Sequence, residues 1–290
     1  MTRSGLNRAL TAVYHGILDN RTLQMAAALA YYLVLSVFPA LILFFAAVAS
    51  LPFPGLYQPI FEVLTTLLPA QTVPMVQDVL SDVLTTTHGG WLSLGTIGTI
   101  WVASSAFDAM IEALDVAYRV QEVRPFWKTR LLAIGLAGTT GCLLLFGLVV
   151  MILGPRFGIG IVDTFHLPSY FVFLSPLFHW IAAVFVALAA AELMYFIAPN
   201  VKQRFLATLP GAIVAVLCWI GLSYLLGYYF RHVANLSRTY GTLGGFIAFM
   251  TWFYWNAFAL LVGAHLNAEL ASESVKGSLP QREQAEDSAE

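Results

Sequence analysis

The chain contains 290 residues, of which 59% are hydrophobic and only 10% are charged, and its formal net charge is −2. Soluble domains average about 25% charged residues, so this composition excludes an ordinary soluble domain and predicts an integral membrane protein. The two cysteines, Cys142 and Cys218, both lie in apolar stretches, and neither a disulfide scaffold nor a metal cluster is predicted from them.

Residues 1–25 are predicted to form a cytoplasmic N-terminus with an amphipathic helix on the membrane surface. Apolar side chains recur there at helical spacing, and three arginines lie around them. The apolar positions are Leu6, Ala9, Leu10, Val13, Tyr14, Ile17 and Leu18, and the arginines are Arg3, Arg8 and Arg21. The segment lacks the short apolar core and the cleavage site of a signal peptide.

Six stretches of the remaining chain carry no Lys, Arg, Asp or Glu, and each exceeds the ~20 residues that a helix needs to cross ~30 Å of hydrocarbon. Such runs do not fit the strands of a membrane β-barrel, which alternate apolar and polar residues. We therefore predict an all-α fold, a polytopic membrane protein with a six-transmembrane-helix bundle over residues 26–270. The predicted spans are about 26–50, 91–114, 131–154, 170–197, 206–230 and 241–269.

The loop between the first two spans, residues 51–90, contains no basic residue and is predicted to carry an amphipathic helix. Its apolar face consists of Met75, Val76, Val79, Leu80, Val83 and Leu84, and its polar face consists of Gln77, Asp78, Ser81 and Asp82. Two interpretations fit this pattern. The helix either caps the outer mouth of the bundle or connects two spans while resting on lipid headgroups.

The basic residues are unevenly divided between the two ends of the predicted spans. Eleven of the 14 Lys and Arg side chains fall on the side of the N-terminus, and only Arg156, Arg231 and Arg238 fall on the other. Because cytoplasmic loops carry the excess of basic residues, both termini are predicted to be cytoplasmic. Residues 271–290, rich in Gln, Glu and Ser, are predicted to form a disordered cytoplasmic tail.

Several motifs along the chain resemble one family of bacterial inner-membrane proteins. The motifs are AAALAYYLVLSVFPA at 26–40, YFIAPN at 195–200, LPGAIVA at 209–215 and YGTLGGFIAFMTWFYWNAFALLVGAHLNAEL at 240–270. In this order they resemble the YihY/BrkB family, some members of which were formerly mislabelled ribonuclease BN. The resemblance covers residues 20–270 and implies six spans, cytoplasmic termini and a location in the bacterial cytoplasmic (inner) membrane. Envelope-lipid export and resistance to serum or stress have been attached to members of the family.

One departure from the family pattern lies near the end of the last span. The family usually has Gly-Ala-Glu there, whereas this chain has Gly-Ala-His265. A proton or charge role for a carboxylate at this position therefore does not carry over.

Four acidic residues are expected at the cytoplasmic boundary of the bundle: Asp108, Glu112, Glu192 and Glu269. Asp108 and Glu112 are four residues apart and share one face of the second span. Because ionisable residues are costly within a membrane, each needs a partner or a function. Two interpretations stay open. The acids either form interfacial ion pairs that fix helix packing, or they form an inner gate or a proton-coupled carboxylate pair.

A second polar cluster follows the fifth span, on the side that is otherwise poor in basic residues. Its members are Arg231, His232, Asn235, Arg238 and Tyr240. Arginine makes bidentate contacts to phosphate, so Arg231, Asn235, Arg238 and Tyr240 are candidates for binding an anionic headgroup. Salt bridges to Asp78 or Asp82 are an equal alternative. In the last span, Asn256 and Asn267 are expected to hydrogen-bond across helices.

Enzyme motifs are missing from the sequence. The six histidines are scattered, and there is no H-x-H, H-E-x-x-H or P-loop motif. The predicted cytoplasmic loops are short for a surface that binds nucleic-acid phosphates. We therefore predict no enzyme activity, no cofactor, no metal and no nucleic-acid partner.

The leading functional hypothesis is an inner-membrane protein that moves or presents a lipid or a lipid-linked envelope component. The alternatives are a non-transporting envelope scaffold and a small-solute permease. The expected partners are membrane lipids and, if the glycine-rich helix faces are shared between copies, a homo-oligomer.

Overall fold

The computed structural model describes residues 21–50, 94–165, 170–232 and 243–276, together with Gly16 and Leu18. These ranges are α-helical apart from short connections and one 3-10 turn, and they contain no β-strand. The helices are α1 (Thr22–Ser50), α2 (Leu94–Ala103), α3 (Ser105–Ala117), α4 (Phe126–Phe165), α5 (Tyr170–Ile197), α6 (Leu209–His232) and α7 (Leu243–Lys276), and the 3-10 turn is Phe205–Ala207. The predicted all-α fold is confirmed for this part of the chain.

The membrane character of the chain is confirmed by the length and hydropathy of its helices. Four described segments are long and apolar enough to cross a membrane: Ile97–Ala117, Phe126–Gly147, Leu209–Phe230 and Leu243–Ser272. Two shorter apolar stretches, Thr22–Val37 and Ile181–Ile197, are also helical. The protein is therefore multi-pass. The count of six spans and the side on which the termini lie stay predictions.

Three predicted features lie wholly or mainly outside the described residues. They are the N-terminal surface helix, the amphipathic helix of the 51–90 loop and most of the C-terminal tail. The tail was predicted to begin at residue 271, but α7 continues to Lys276. The reason is that residues 271–276 contain neither Gly nor Pro, the two residues that most strongly end a helix.

The second predicted span is interrupted at Ser104, which separates α2 from α3. The hydroxyls of Ser104 and Ser105 each donate a hydrogen bond to the Trp101 carbonyl at 3.0 Å. Serine side chains that bond backwards to a carbonyl of the preceding turn compete with the helical ladder and bend helices. The sequence Ser104-Ser105 therefore explains the position of the break.

Helices α6 and α7 touch through their backbones at Gly211 and Gly263. A Cβ added to Gly263 would lie 2.5 Å from the Gly211 carbonyl and 3.0 Å from Ala215 Cβ. A Cβ added to Gly211 would overlap the Gly263 carbonyl and the Asn267 side chain. Small residues allow this approach in a membrane, where helices associate through close packing and hydrogen bonds.

Other glycines of the described helices do not lie at such crossings. Nothing in the described structure comes within 4 Å of a Cβ added at Gly98, Gly135, Gly138, Gly141 or Gly245. The close crossing depends instead on two glycines of the LPGAIVA and LLVGAHLNAEL segments.

The polar residues of the described chain gather at one end of the bundle. We call this region the basic end; it comprises the start of α1 at residues 21–24, the loop 118–125 with the first turn of α4 at 126–130, the loop 198–208 and residues 265–272 of α7. Hydrogen bonds and ion pairs join these segments, as described below. The region also holds most of the described Lys and Arg residues, so it corresponds to the end predicted to face the cytoplasm.

Candidate functional site at the basic end of the bundle

Arg130 lies in the first turns of α4, and its side chain is only 6% exposed. Its Nη1 lies 3.3 Å from Asp108 Oδ2, and its Nη2 donates to the Ser105 hydroxyl at 3.2 Å and to the Trp101 carbonyl. The guanidinium also lies over the Trp101 ring, 3.9 Å from its centre. Arg130 therefore joins α4 to the break between α2 and α3, with Asp108 as its counter-ion.

Glu192 of α5 is buried, with 3% of its surface exposed, and it faces the loop before α6. The Thr208 hydroxyl lies 2.5 Å from Glu192 Oε1 and 2.7 Å from the Phe205 carbonyl oxygen. One hydroxyl proton cannot serve both acceptors at once. Glu192 Oε2 has no hydrogen-bond partner among the described residues.

A buried polar cluster extends from Glu192 toward α3 and α7. Gln203 donates from its side chain to the Tyr195 carbonyl, and the Tyr118 hydroxyl is buried without a hydrogen bond of normal geometry. Burial raises the pKa of Tyr118 to about 12, so its hydroxyl stays neutral. The Glu192 carboxylate and the Gln203 amide lie close enough to the phenol to affect its pKa.

Asp115 was not among the residues singled out from the sequence, yet it links the two loops of the basic end. It is buried and accepts a hydrogen bond from the Asn200 backbone N–H at 2.7 Å. Arg124 Nη2 lies 3.9 Å from Asp115 Oδ2 and donates to the Ala198 carbonyl at 2.8 Å. Asn200 closes the YFIAPN motif, and that motif was the only signal in the sequence for this contact.

Arg124 also holds Glu122 in a bidentate arrangement on the same loop. The closest approach, Arg124 Nη2 to Glu122 Oε2, is 2.6 Å. Hydrogen bonds from Arg124 hold the pKa of Glu122 below its usual range, so Glu122 is ionised at neutral pH. The loop between α3 and α4 is therefore organised by one arginine.

His265 makes a contact between the first and last described helices. Its Nε2 lies 2.8 Å from the Thr22 hydroxyl, and both side chains are buried. Its Nδ1 faces Gly16, where an added Cβ would lie 3.3 Å away. His265 thus ties the start of α1 to α7.

Asn267 forms the cross-helix hydrogen bonds expected of it. Its Oδ1 accepts from the Gly211 N–H, and its Nδ2 donates to the Thr208 carbonyl, both at 2.8 Å. The prediction is wrong for Asn256, whose amide donates at 2.7 Å to the Trp252 carbonyl of its own helix.

Glu112 lies in a different setting from Asp108, with which it was paired in the gate hypothesis. It is exposed and lines an open groove of about 510 Å³ between α1 and α3. Arg21 and Gln24 lie in the same groove, and its apolar wall includes Met25, Ala28, Leu29 and Val116. No ion pair within 4.0 Å joins Arg21 or Glu112 to another described residue.

The remaining candidates from the sequence lie apart from these contacts. Glu269 is partly buried on α7, and its backbone carbonyl accepts a hydrogen bond from the Ser272 hydroxyl at 2.8 Å. Arg231 is in the last turn of α6, but its side chain lies outside the described part of the structure. Asn235, Arg238 and Tyr240 also lie outside it. Among the described residues, no group of three His, Cys, Asp or Glu side chains could hold a metal ion.

Comparison with known proteins assigns the chain to a family of membrane proteins. The profile of the family described as virulence factor BrkB matches residues 13–288. The chain therefore belongs to this family, as its motifs indicated. No solved structure matches the chain.

Individual relatives carry different names. The chain is similar to the ribonuclease-like protein YfkH of Bacillus subtilis, with 35% identity over 252 residues, covering 84% of this chain and 88% of YfkH. It is also similar to UPF0761 membrane proteins of Aromatoleum aromaticum and Paraburkholderia xenovorans, each with 25% identity, over 269 and 260 residues. Those alignments cover 88% and 87% of this chain but only 61% and 57% of the two longer relatives.

Proposed function

We propose that this membrane protein moves or presents an amphiphile, a lipid or a lipid-linked component of the bacterial envelope. The observation that carries the proposal is the open groove between α1 and α3, which combines Arg21 and Glu112 with an apolar wall. A water-soluble solute would gain nothing from such a wall. A lipid would use both parts, because burying its hydrocarbon contributes about 25 cal/mol per Å².

The surroundings of the groove support access from the side of the bundle. Tyr31, Tyr32 and Leu35 on α1 are large, apolar or amphipathic, and exposed. Aromatic side chains with one polar end favour the boundary between lipid and water. A lipid could therefore reach the groove laterally, without crossing the core of the bundle.

The contacts of the basic end support different roles for the acidic residues, some in helix packing and one in ligand binding. Asp108 is bound to Arg130 and Asp115 to the loop at Asn200, and these contacts fix α3, one wall of the groove. Glu112, on the same helix, forms no ion pair with another described residue and lines the groove. This supports Glu112, among the four acids proposed for an inner gate, as the one that meets a ligand. Arg231, Asn235, Arg238 and Tyr240 stay the proposed headgroup contacts at the opposite end.

Lipid translocation by the purified protein in proteoliposomes tests the proposal. A fluorescent phospholipid in the inner leaflet becomes accessible to an external quencher if it is moved, and the assay is run with and without a pH gradient. Ala28→Trp should fill the groove and abolish the exchange. Ala27→Trp is the matched control, because Ala27 is an exposed neighbour on α1 that does not line the groove.

An exchange rate equal to that of protein-free vesicles, with several lipids, would favour the non-transporting scaffold. Equal rates for wild type, Ala28→Trp and Ala27→Trp would mean that translocation does not use the groove. No enzymatic step is part of the proposal.

A further inference from the structure

The groove between α1 and α3 carries one positive and one negative side chain that do not neutralise each other. Arg21 precedes α1, Glu112 lies on α3, and both line the same cavity without an ion pair between them. Glu112 is exposed, and so is Arg21. Two opposite charges held apart are complementary to a ligand that itself carries two separated opposite charges.

We infer that the groove binds the headgroup of a zwitterionic glycerophospholipid, with its phosphate at Arg21 and its ammonium at Glu112. The inference rests on the proposed function and names the class of amphiphile. Arginine binds phosphate through two parallel N–H donors, and a carboxylate accepts from an ammonium group. An anionic headgroup without an ammonium group would bring like charge toward Glu112, so the pair selects against it.

The backbone at Arg21 supports a ligand-directed role for this side chain. Its φ of 50° lies in the left-handed region, and the Gln24 and Met25 N–H groups donate to its carbonyl at 2.9 and 3.1 Å. A side chain in this conformation is strained by its Cβ, which glycine lacks. Residues held in such conformations cluster at ligand sites, where the surrounding structure maintains the strain.

Small residues create the space for the rest of the lipid. Ala28 on α1 and Ala109 and Ala113 on α3 line the groove, whereas Leu29 closes its base and is fully buried. Because alanine leaves room that a larger side chain would fill, the two helices leave a cleft. Met25 and Val116 add apolar contact for the glycerol and the first part of an acyl chain.

Lipid selectivity of the purified full-length protein tests this inference. Native mass spectrometry measures retained phosphatidylethanolamine and phosphatidylglycerol from equimolar mixtures. Wild type should prefer phosphatidylethanolamine, and Glu112→Gln should lower the ratio of the two lipids by about tenfold, the scale of one hydrogen bond to a charged group. Arg21→Asn should lower retention of both lipids. Asparagine suits a left-handed backbone, so this loss would not come from strain.

Two control variants keep the test specific. Lys202→Asn removes an exposed cation of the same end that does not line the groove, and Ala27→Trp adds bulk beside it; both should bind as wild type does. A preference for phosphatidylglycerol, or an unchanged ratio in Glu112→Gln, would overturn the inference. If either of these results is found while the wild-type protein still translocates lipid in vesicles, only the headgroup assignment has failed. If selectivity holds but translocation is absent, the inference stands and the protein presents the lipid without moving it.

Discussion

The Asn267 side chain of α7 caps the N-terminus of α6 by accepting a hydrogen bond from the backbone of Gly211. The Gly211 N–H donates to Asn267 Oδ1 at 2.8 Å, and a Cβ on Gly211 would overlap the same side chain. The first N–H groups of a helix have no partner within it, and Pro210 has no N–H at all. The LPG sequence and Asn267 therefore form one unit, in which glycine is required for the approach and asparagine for the hydrogen bond.

Gly211→Ala should destabilise the protein by about 1–3 kcal/mol, the usual cost of forcing extra atoms into a tight contact. The added methyl group would meet the Gly263 carbonyl, which is backbone and cannot rotate away. Thermal unfolding in detergent, followed by intrinsic fluorescence, measures the effect. Gly221→Ala lies on the same helix with nothing within 4 Å of its added Cβ, and it should leave the midpoint unchanged or raise it. Equal losses in both variants would contradict the special role of the Gly211 contact, because alanine favours a helix more than glycine does and the Gly221 site is open.

Asn267→Leu should destabilise the protein by about 1–3 kcal/mol for each buried group that loses its partner. The substitution leaves the Gly211 N–H without its acceptor and the Thr208 carbonyl without one of its donors. Asn256→Leu is the control on the same helix, because the described hydrogen bond of its amide goes to the Trp252 carbonyl one turn away. The difference between the two unfolding midpoints measures the cross-helix bonds. An Asn267→Leu protein as stable as Asn256→Leu would contradict the capping role.

The helices could be predicted from the sequence because a membrane-spanning helix requires a long run of residues without charge. Each uncharged run is long enough to cross the hydrocarbon core as a helix, and all six predicted segments overlap described helices. The break at Ser104 was not predicted. It depends on Arg130 and two serines meeting at one carbonyl, and hydropathy does not register such an arrangement.

The candidate site was predicted only in part, because its contacts join distant parts of the chain. Asn267 could be chosen correctly, since a buried amide in a span needs a partner on another helix. The partner of Asp115 is 85 residues away at Asn200, and no spacing rule connects them. The groove was not foreseen either, because Arg21 and Glu112 become neighbours only when α1 packs beside α3.

Asp108→Asn should lower the stability of the protein, because it removes the counter-ion of the nearly buried Arg130. Asp108 is 34% exposed, so the expected loss is about 1–3 kcal/mol, below that of a fully buried pair. Glu112→Gln, one turn along the same helix, removes an exposed charge that has no ion pair with another described residue, and it should change stability by less than about 0.5 kcal/mol. Thermal unfolding and lipid translocation are measured on both. A destabilised Asp108→Asn protein that still translocates lipid would exclude Asp108 from any gate.

The ion pair of Glu122 with Arg124 should make a small, pH-dependent contribution to stability. The pKa of Glu122 in the folded protein is lowered from its ordinary value of 4.5, chiefly by the side-chain hydrogen bonds from Arg124. Its contribution is therefore present above pH 4.5 and is lost as the pH falls through the lower pKa of the folded state. The pair is exposed to solvent, so the effect should stay below about 1 kcal/mol.

Unfolding midpoints of wild type and Glu122→Gln, measured from pH 7 to pH 3, test this contribution. The two proteins should differ at pH 7 and converge at the acid end of the series, and added salt should reduce the difference at pH 7 because the pair is exposed. Arg124→Gln should lose more than Glu122→Gln at neutral pH, because Arg124 also donates to the Ala198 carbonyl and lies near Asp115. A difference between wild type and Glu122→Gln that grows toward acid pH would mean that the carboxyl of Glu122 is stabilised in its protonated form, opposite to the hydrogen bonding seen at Arg124.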